Sequence, residues 1–284
     1  MSVPTVGSMI WEGNYSVRND TTYRYGNKLN YFEYNWNTPE NERTVVFSDL
    51  AIPTAALPRF SQVTHKVAWL MEGPGVYASY GLFKEVLTWL LNHLHLFSAV
   101  ATCDDELVAR YPDKMVFVPL GVILVPKEHS KIYAKSKLCS MVAGRLYYPR
   151  DIIYNHYNTS DKIEFLGKGV NKPFNQIVDA FKDYRYHVSV PSCANNRFFS
   201  STITDAFACG TVPIWWGCDK IGEFFNDRGL IVVRSMEELD DALNVMSEAD
   251  YLSRMDAIVE NHARVERYRA TENVLWENIL SKLM

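Results

Sequence analysis

Short runs of β-branched and aromatic residues recur along the 284 residues of this chain, several closed directly by an acid, a glycine or a proline, and stretches of helical apolar spacing lie between them. That alternation constrains the fold more than any other feature, because buried parallel strands read as near-continuous apolar runs and need crossovers, usually helices, between them. Thr44-Val-Val-Phe-Ser48 ends at Asp49, and Lys66-Val-Ala-Trp-Leu-Met71 ends at Glu72-Gly-Pro-Gly75. Leu82 to Leu91 has helical spacing, and Leu96 to Ala101 returns to strand character. Asp104-Asp-Glu-Leu107 reads as a helix start, since acids in a first turn complement the helix dipole, and Met115-Val-Phe-Val118 follows as a strand.

After Pro126 the chain turns polar and a second series begins. Strands are expected at Lys137 to Val142, Ile163 to Leu166, Tyr186 to Val190, Val212 to Trp216 and Leu230 to Val233, with helices from Arg150, around Phe174 to Phe181, and from Phe199 to Cys209. Gly210 stops that last helix, and Ser235 and Glu238 are spaced as a capping box opening a helical C-terminal stretch. The expectation is an α/β fold of two doubly wound, Rossmann-like domains facing one another across a cleft, residues 1–128 for an acceptor and 129–284 for a nucleotide sugar, with the last helix packing back on the first domain.

With 48% hydrophobic and 22% charged residues the chain can bury large cores, and a net charge of −4 supplies no global field to hold nucleic acid or an anionic membrane. Five cysteines, at 103, 139, 193, 209 and 218, form no CxxC pair, which points to a reducing compartment and no zinc site. The N-terminus lacks the pattern of a signal peptide, and Val116 to Val125 is shorter than the ~20 residues that cross a membrane, so a cytoplasmic, soluble protein is expected. Sequons at Asn14, Asn19 and Asn158 are short enough to arise by chance. No Asp-x-Asp or His/carboxylate cluster suggests a metal, and no GxGxxG follows a strand as a dinucleotide oxidoreductase would require.

In open parallel sheets ligands bind beyond the carboxyl ends of the strands, where helix N-termini offer N–H groups to anions. In the second half this selects Ser140 to Gly144 with Arg150, then Gly167-Lys-Gly169, then Ser192 to Ser201. The candidate donor contacts are Ser140, Arg150, Lys168, Asn195, Arg197, Ser200, Ser201, Thr202 and Asp205. Hydroxyls, amides and one arginine at a helix entry suit a sugar nucleotide diphosphate, but they equally suit a polar loop with an N-cap. Asp205 fits a ribose contact or a packing role alike.

Lys137-Leu-Cys-Ser-Met-Val142, Ile163-Glu-Phe-Leu-Gly-Lys-Gly169, Asp183 to Ser189 and above all Thr204-Asp-Ala-Phe-Ala-Cys-Gly-Thr-Val-Pro-Ile-Trp-Trp-Gly217, with Ile221-Gly-Glu-Phe-Phe225, resemble the nucleotide-sugar half of family 10 glycosyltransferases, the α1,3-fucosyltransferases. Ser200 to Pro213 is also similar to exostosin-like transferases. The resemblance implies a GT-B fold, an inverting transfer without metal or cofactor, Arg150 beside the pyrophosphate, and Glu72, after a first-half strand, as the general base. A carboxylate beside Gly73-Pro-Gly75 at a strand end is also where a rigidly held base would stand. Ser200, Ser201 and Thr202 replace the family's Thr-Glu-Lys donor clamp, and Thr202 stands where the exostosin-like arginine would be. A different donor is therefore expected, UDP-xylose first, as in a viral or microbial xylosyltransferase acting on a glycan hydroxyl. The alternatives are a GDP-fucose transferase and a non-catalytic sugar-nucleotide-binding module.

Overall fold

The computed structural model describes residues 3–9, 15–18, 21–24, 27–79, 81–192 and 197–284; Cys193, Asn195, Asn14 and Asn19 lie outside the described residues. It divides into two compact units, Met1–Leu120 with Ala270–Met284, and Gly121–Arg269.

In the first unit the strands are β1 (Thr5–Met9), β2 (Tyr15–Arg18), β3 (Thr21–Arg24), β4 (Asn27–Lys28), β5 (Glu33–Asn35), β6 (Thr44–Ser48), β7 (His65–Trp69), β8 (Ala99–Thr102) and β9 (Met115–Phe117). β2, β3 and β4 pair antiparallel, and the others form a six-stranded sheet in the order β5-β1-β6-β7-β8-β9. Every pairing in that sheet is parallel. All five residues of β6 are buried, as an unbroken Thr-Val-Val-Phe-Ser run in a central parallel strand requires. Helices α1 (Pro74–Ser79), α2 (Gly81–Asn92) and α3 (Asp105–Arg110) connect the later strands. α2 buries Val86 and Leu90, one turn apart, in a core with Val45, Phe47, Phe60, Phe97 and Val100. Asp104 is the N-cap of α3, its carboxylate accepting from the amides of Glu106 and Leu107 at 2.9 and 3.2 Å.

The second unit carries β10 (Lys137–Val142), β11 (Glu164–Leu166), β12 (Tyr184–Ser189), β13 (Val212–Trp215) and β14 (Ile231–Val232) in the all-parallel order β11-β10-β12-β13-β14. Its helices are α4 (Arg150–Tyr157), α5 (Ser201–Ala208), α6 (Met236–Val245), α7 (Glu248–Ser253) and α8 (Met255–Val265). Met141, Ile153, Tyr186, Val188, Ile214 and Leu239 make its core. The helix expected around Phe174 to Phe181 is a single 3-10 turn, Ile177–Ala180. Ser235 caps α6 by accepting from the Glu238 amide at 3.1 Å.

The units divide at residues 120 and 121 rather than 128 and 129, and Ala270–Met284 counts with the first unit. The reason is where the segment after Leu120 sends its polar groups. Val122 O accepts from Thr204 Oγ1 at 2.6 Å, the amides of Leu124 and Val125 donate to Asp205 Oδ1 at 2.7 and 2.9 Å, and Val125 O accepts from Arg269 Nη1 at 2.7 Å. Gly121 begins this strap because a Cβ there would meet the Phe199 ring at 2.2 Å. Among the described residues, no helix is long and apolar enough to cross a membrane.

Candidate functional site

In each sheet the chain first steps to one side of its opening strand and then to the other, which creates a switch point where strand ends diverge and ligands bind. In the second unit this point lies between β10 and β12. Beyond β12, Val190 O accepts from Arg150, from Nε at 3.1 Å and also from Nη2. The half-buried guanidinium lies 4.7 Å over the Tyr147 ring. An arginine on the first turn of α4 opposes the helix dipole by a few tenths of a kcal/mol, a placement that suits an anionic partner.

Beyond β10, the turn Gly167-Lys168-Gly169 folds onto Ala143: the Gly169 amide donates to Ala143 O at 2.9 Å. A Cβ at Gly167 or Gly169 would come within 2.8 or 2.7 Å of that oxygen, and Gly167 has φ +117. Glycine is required at both positions, and Lys168 is left exposed between them. Beyond β12 the first turn of α5 is held by Ser189 Oγ, which donates to Thr202 O at 3.0 Å. Ser200 occupies the N-cap position, yet its hydroxyl makes no cap hydrogen bond and lies 3.2 Å from Thr202 Oγ1. Ser200, Ser201 and Thr202 are all partly exposed. Arg197 Nε pairs with Glu223 at 3.1 Å, and the guanidinium covers the Phe224 ring at 5.6 Å.

Arg150, Ser200 and Thr202 thus gather at the carboxyl end of β12, with Lys168 beyond the neighbouring strands. Two expected donor contacts are corrected. Ser140 is fully buried, its hydroxyl donating to Ala180 O at 2.7 Å, so the proton in its 2.8 Å contact with His187 comes from Nδ1. Burial pushes His187 down to about 3, keeping the imidazole neutral. Asp205 is 1% exposed, and its Oδ1 accepts the two strap amides; burial pushes its carboxyl up to about 7 despite those amides and Arg269. Both residues brace the sheet and α5 instead of lining a surface.

In the first unit the switch point lies between β1 and β6, and β6 runs into Asp49. Asp49 has φ +47, a left-handed conformation that Asp and Asn tolerate better than other side chains. Its Oδ1 accepts from the Met71 amide at 2.8 Å and from the Tyr77 hydroxyl. Glu72 follows with its side chain exposed. Beside Asp49 a groove of about 350 Å³ is lined by Leu50, Pro53, Leu82, Glu85, Val86 and Trp89. Nothing in the sequence singled out Tyr77, and Asp49 was marked only by its place directly after a buried strand.

No protein-family profile matches the chain, and no curated protein matches it. Among solved structures, an α1,3-fucosyltransferase aligns over 88% of this chain and 82% of its own at 13% identity with a TM-score of 0.56. An α1,3-fucosyltransferase solved with GDP gives 0.54 at 15% identity over the same shares, and one solved with GDP-fucose gives 0.50 at 14% identity over 98% of this chain and 92% of its own. At these identities the likeness is one of fold: the chain is an α/β protein of two parallel-sheet units, the architecture of GT-B glycosyltransferases.

Proposed function

We propose that this protein is a glycosyltransferase that takes a sugar from a nucleotide sugar held by the second unit and passes it, with inversion, to a glycan hydroxyl. The observation that carries the reading is Arg150, fixed on the Val190 carbonyl at the switch point where an open parallel sheet binds its ligand. Beside it Ser200 puts no side-chain cap on the first turn of α5; the Ile203 amide is taken by Ser200 O, and the amides of Ser201 and Thr202, with the Ser201 hydroxyl, are the groups offered to a diphosphate. The structural likeness to enzymes solved with GDP and GDP-fucose supports the same reaction class.

In this mechanism Glu72 takes the proton of the acceptor hydroxyl as its oxygen bonds to the anomeric carbon. The bond from that carbon to the diphosphate breaks, and its electron pair leaves with the diphosphate, whose charge Arg150 and the α5 amides offset. The acceptor is assigned to the first unit, where Glu72 and the Trp89 groove lie. Because Ser200-Ser201-Thr202 replaces a Thr-Glu-Lys clamp, the donor proposed first is UDP-xylose. GDP-fucose is the second reading, favoured by the structural neighbours.

Calorimetry with UDP, GDP, UDP-xylose and GDP-fucose tests the assignment. One nucleotide series should bind, and Arg150→Ala should weaken it about 10- to 100-fold, the value of a charge-assisted hydrogen bond pair, without unfolding the protein. Unchanged affinity removes Arg150 from the site, and binding without either transfer or slow donor hydrolysis leaves the non-catalytic module. Transfer is also expected to persist in EDTA, since amides and Arg150 do the work of a metal; loss in EDTA with recovery on adding manganese would overturn that.

A further inference from the structure

The two backbone amides before Glu72 are each bonded, and Glu72 itself is exposed. Leu70 N–H donates to Ala101 O at 2.9 Å, and Met71 N–H donates to Asp49 Oδ1 at 2.8 Å. The Cys103 thiol lies 3.9 Å from the Glu72 carbonyl. Asp49 is a buried side chain, 9% exposed, and so is Tyr77 beside it, 4% exposed. The Tyr77 hydroxyl donates to the same Asp49 oxygen that takes the Met71 amide. One carboxylate oxygen therefore ties the Met71 amide to the Tyr77 hydroxyl at the carboxyl edge of the sheet.

A strand end does not need such a device to satisfy one amide. Here it draws on a non-glycine residue at φ +47, and strained backbone of this kind persists where the surroundings enforce it, commonly at active sites. Glu72 itself stands beside Gly73 and close to Gly75, and so would swing with its loop unless the residue before it were fixed.

We propose that Asp49 and Tyr77 are positioning residues, a clamp that fixes the Met71–Glu72 turn so that the Glu72 carboxylate is held where it meets the acceptor hydroxyl. The inference rests on Glu72 being the base. Burial and the Asp49 charge raise Tyr77 well above the ordinary phenol range, so its hydroxyl keeps its proton and donates throughout any working pH.

The test is a double-mutant cycle on kcat, with circular dichroism confirming that each variant is folded at the assay temperature. Tyr77→Phe should lower kcat about 10- to 100-fold, the cost of a base misplaced by an ångström or less, with both KM values nearly constant. In a Glu72→Gln background the same change should alter kcat by less than about twofold, because the group it positions is gone. Asp49→Ala should match Tyr77→Phe. Asp49→Asn, which keeps an acceptor oxygen and tolerates the left-handed backbone, should restore most of the loss. A Tyr77→Phe effect that multiplies through in the Glu72→Gln background, or that appears only in KM, overturns the clamp. So does an Asp49→Asn variant as impaired as Asp49→Ala, which would show that charge rather than position matters. If Glu72→Gln alone leaves kcat near wild type, the base assignment has failed and the clamp falls with it, whatever Tyr77→Phe does.

Discussion

Glu72→Gln should reduce turnover by about 10²- to 10⁴-fold, the usual worth of general-base catalysis, while donor affinity stays nearly constant. Glutamine keeps the size and shape of the side chain but cannot accept the acceptor proton. The bonds that hold the turn are unchanged, because they join the Met71 amide, the Asp49 carboxylate and the Tyr77 hydroxyl and not the side chain of residue 72. The loss should therefore fall on kcat with little change in KM, as expected of an interaction that strengthens only in the transition state. Steady-state kinetics with calorimetry of the donor checks this. A variant within a few-fold of wild type would place the base elsewhere. Asp49 and Asp104, the acids after neighbouring strands, are the next candidates, but Asp49 is buried on the Met71 amide and the Tyr77 hydroxyl and the Asp104 carboxylate caps α3.

The largest effect on stability is expected at Asp205. Asp205→Ala leaves the amides of Leu124 and Val125 without their acceptor; Val125 is fully buried, and at about 1–3 kcal/mol for each stranded group the protein should lose about 3 kcal/mol. For a domain of this size that corresponds to a Tm lower by roughly 6–12 °C. Asp205→Asn keeps an oxygen for both amides and should cost far less. The pair also separates by pH. Burial raises Asp205 from 3.8 to about 7, so between those values the folded protein holds a proton that the unfolded chain has released. Wild-type stability should therefore fall relative to Asp205→Asn as pH rises through that window and run parallel to it above. Melting curves for both proteins from pH 5 to pH 8 measure the difference; a wild type that gains on the variant as pH rises would show the amides holding the carboxylate ionised.

Much of the sheet architecture was legible because its central strands are buried on both faces, so runs such as Thr44 to Ser48 stand out without alternation. β1 and β5 were not legible: Thr-Val-Gly-Ser-Met carries a glycine and a serine, and Glu-Tyr-Asn is three residues at an edge. Around Phe174 to Phe181 the apolar spacing fits a helix, but Val178 and Phe181 lie three apart, and a 3-10 turn after Pro173 buries both. Arg150 and the Ser200 to Thr202 turn were singled out by their places after strands, and the structure puts them beyond the carboxyl end of β12. Ser140 lies within β10 and not beyond it, so its hydroxyl meets buried neighbours. Asp205 could not be resolved from its own surroundings, because the amides it serves lie 81 and 80 residues away along the chain.

The second unit is an insertion, entered at Gly121 and left at Arg269, and its two ends are stapled to each other: Arg269 Nη1 reaches the Val125 carbonyl at 2.7 Å. A module whose ends meet can be lifted out and replaced as one piece. Recombination with junctions at residues 120/121 and 269/270 would carry Thr204, Asp205 and Arg269 together with the strap they hold, whereas a junction at 128/129 would part those side chains from their partners. The same closure lets the second unit be exchanged without rebuilding the sheet of the first.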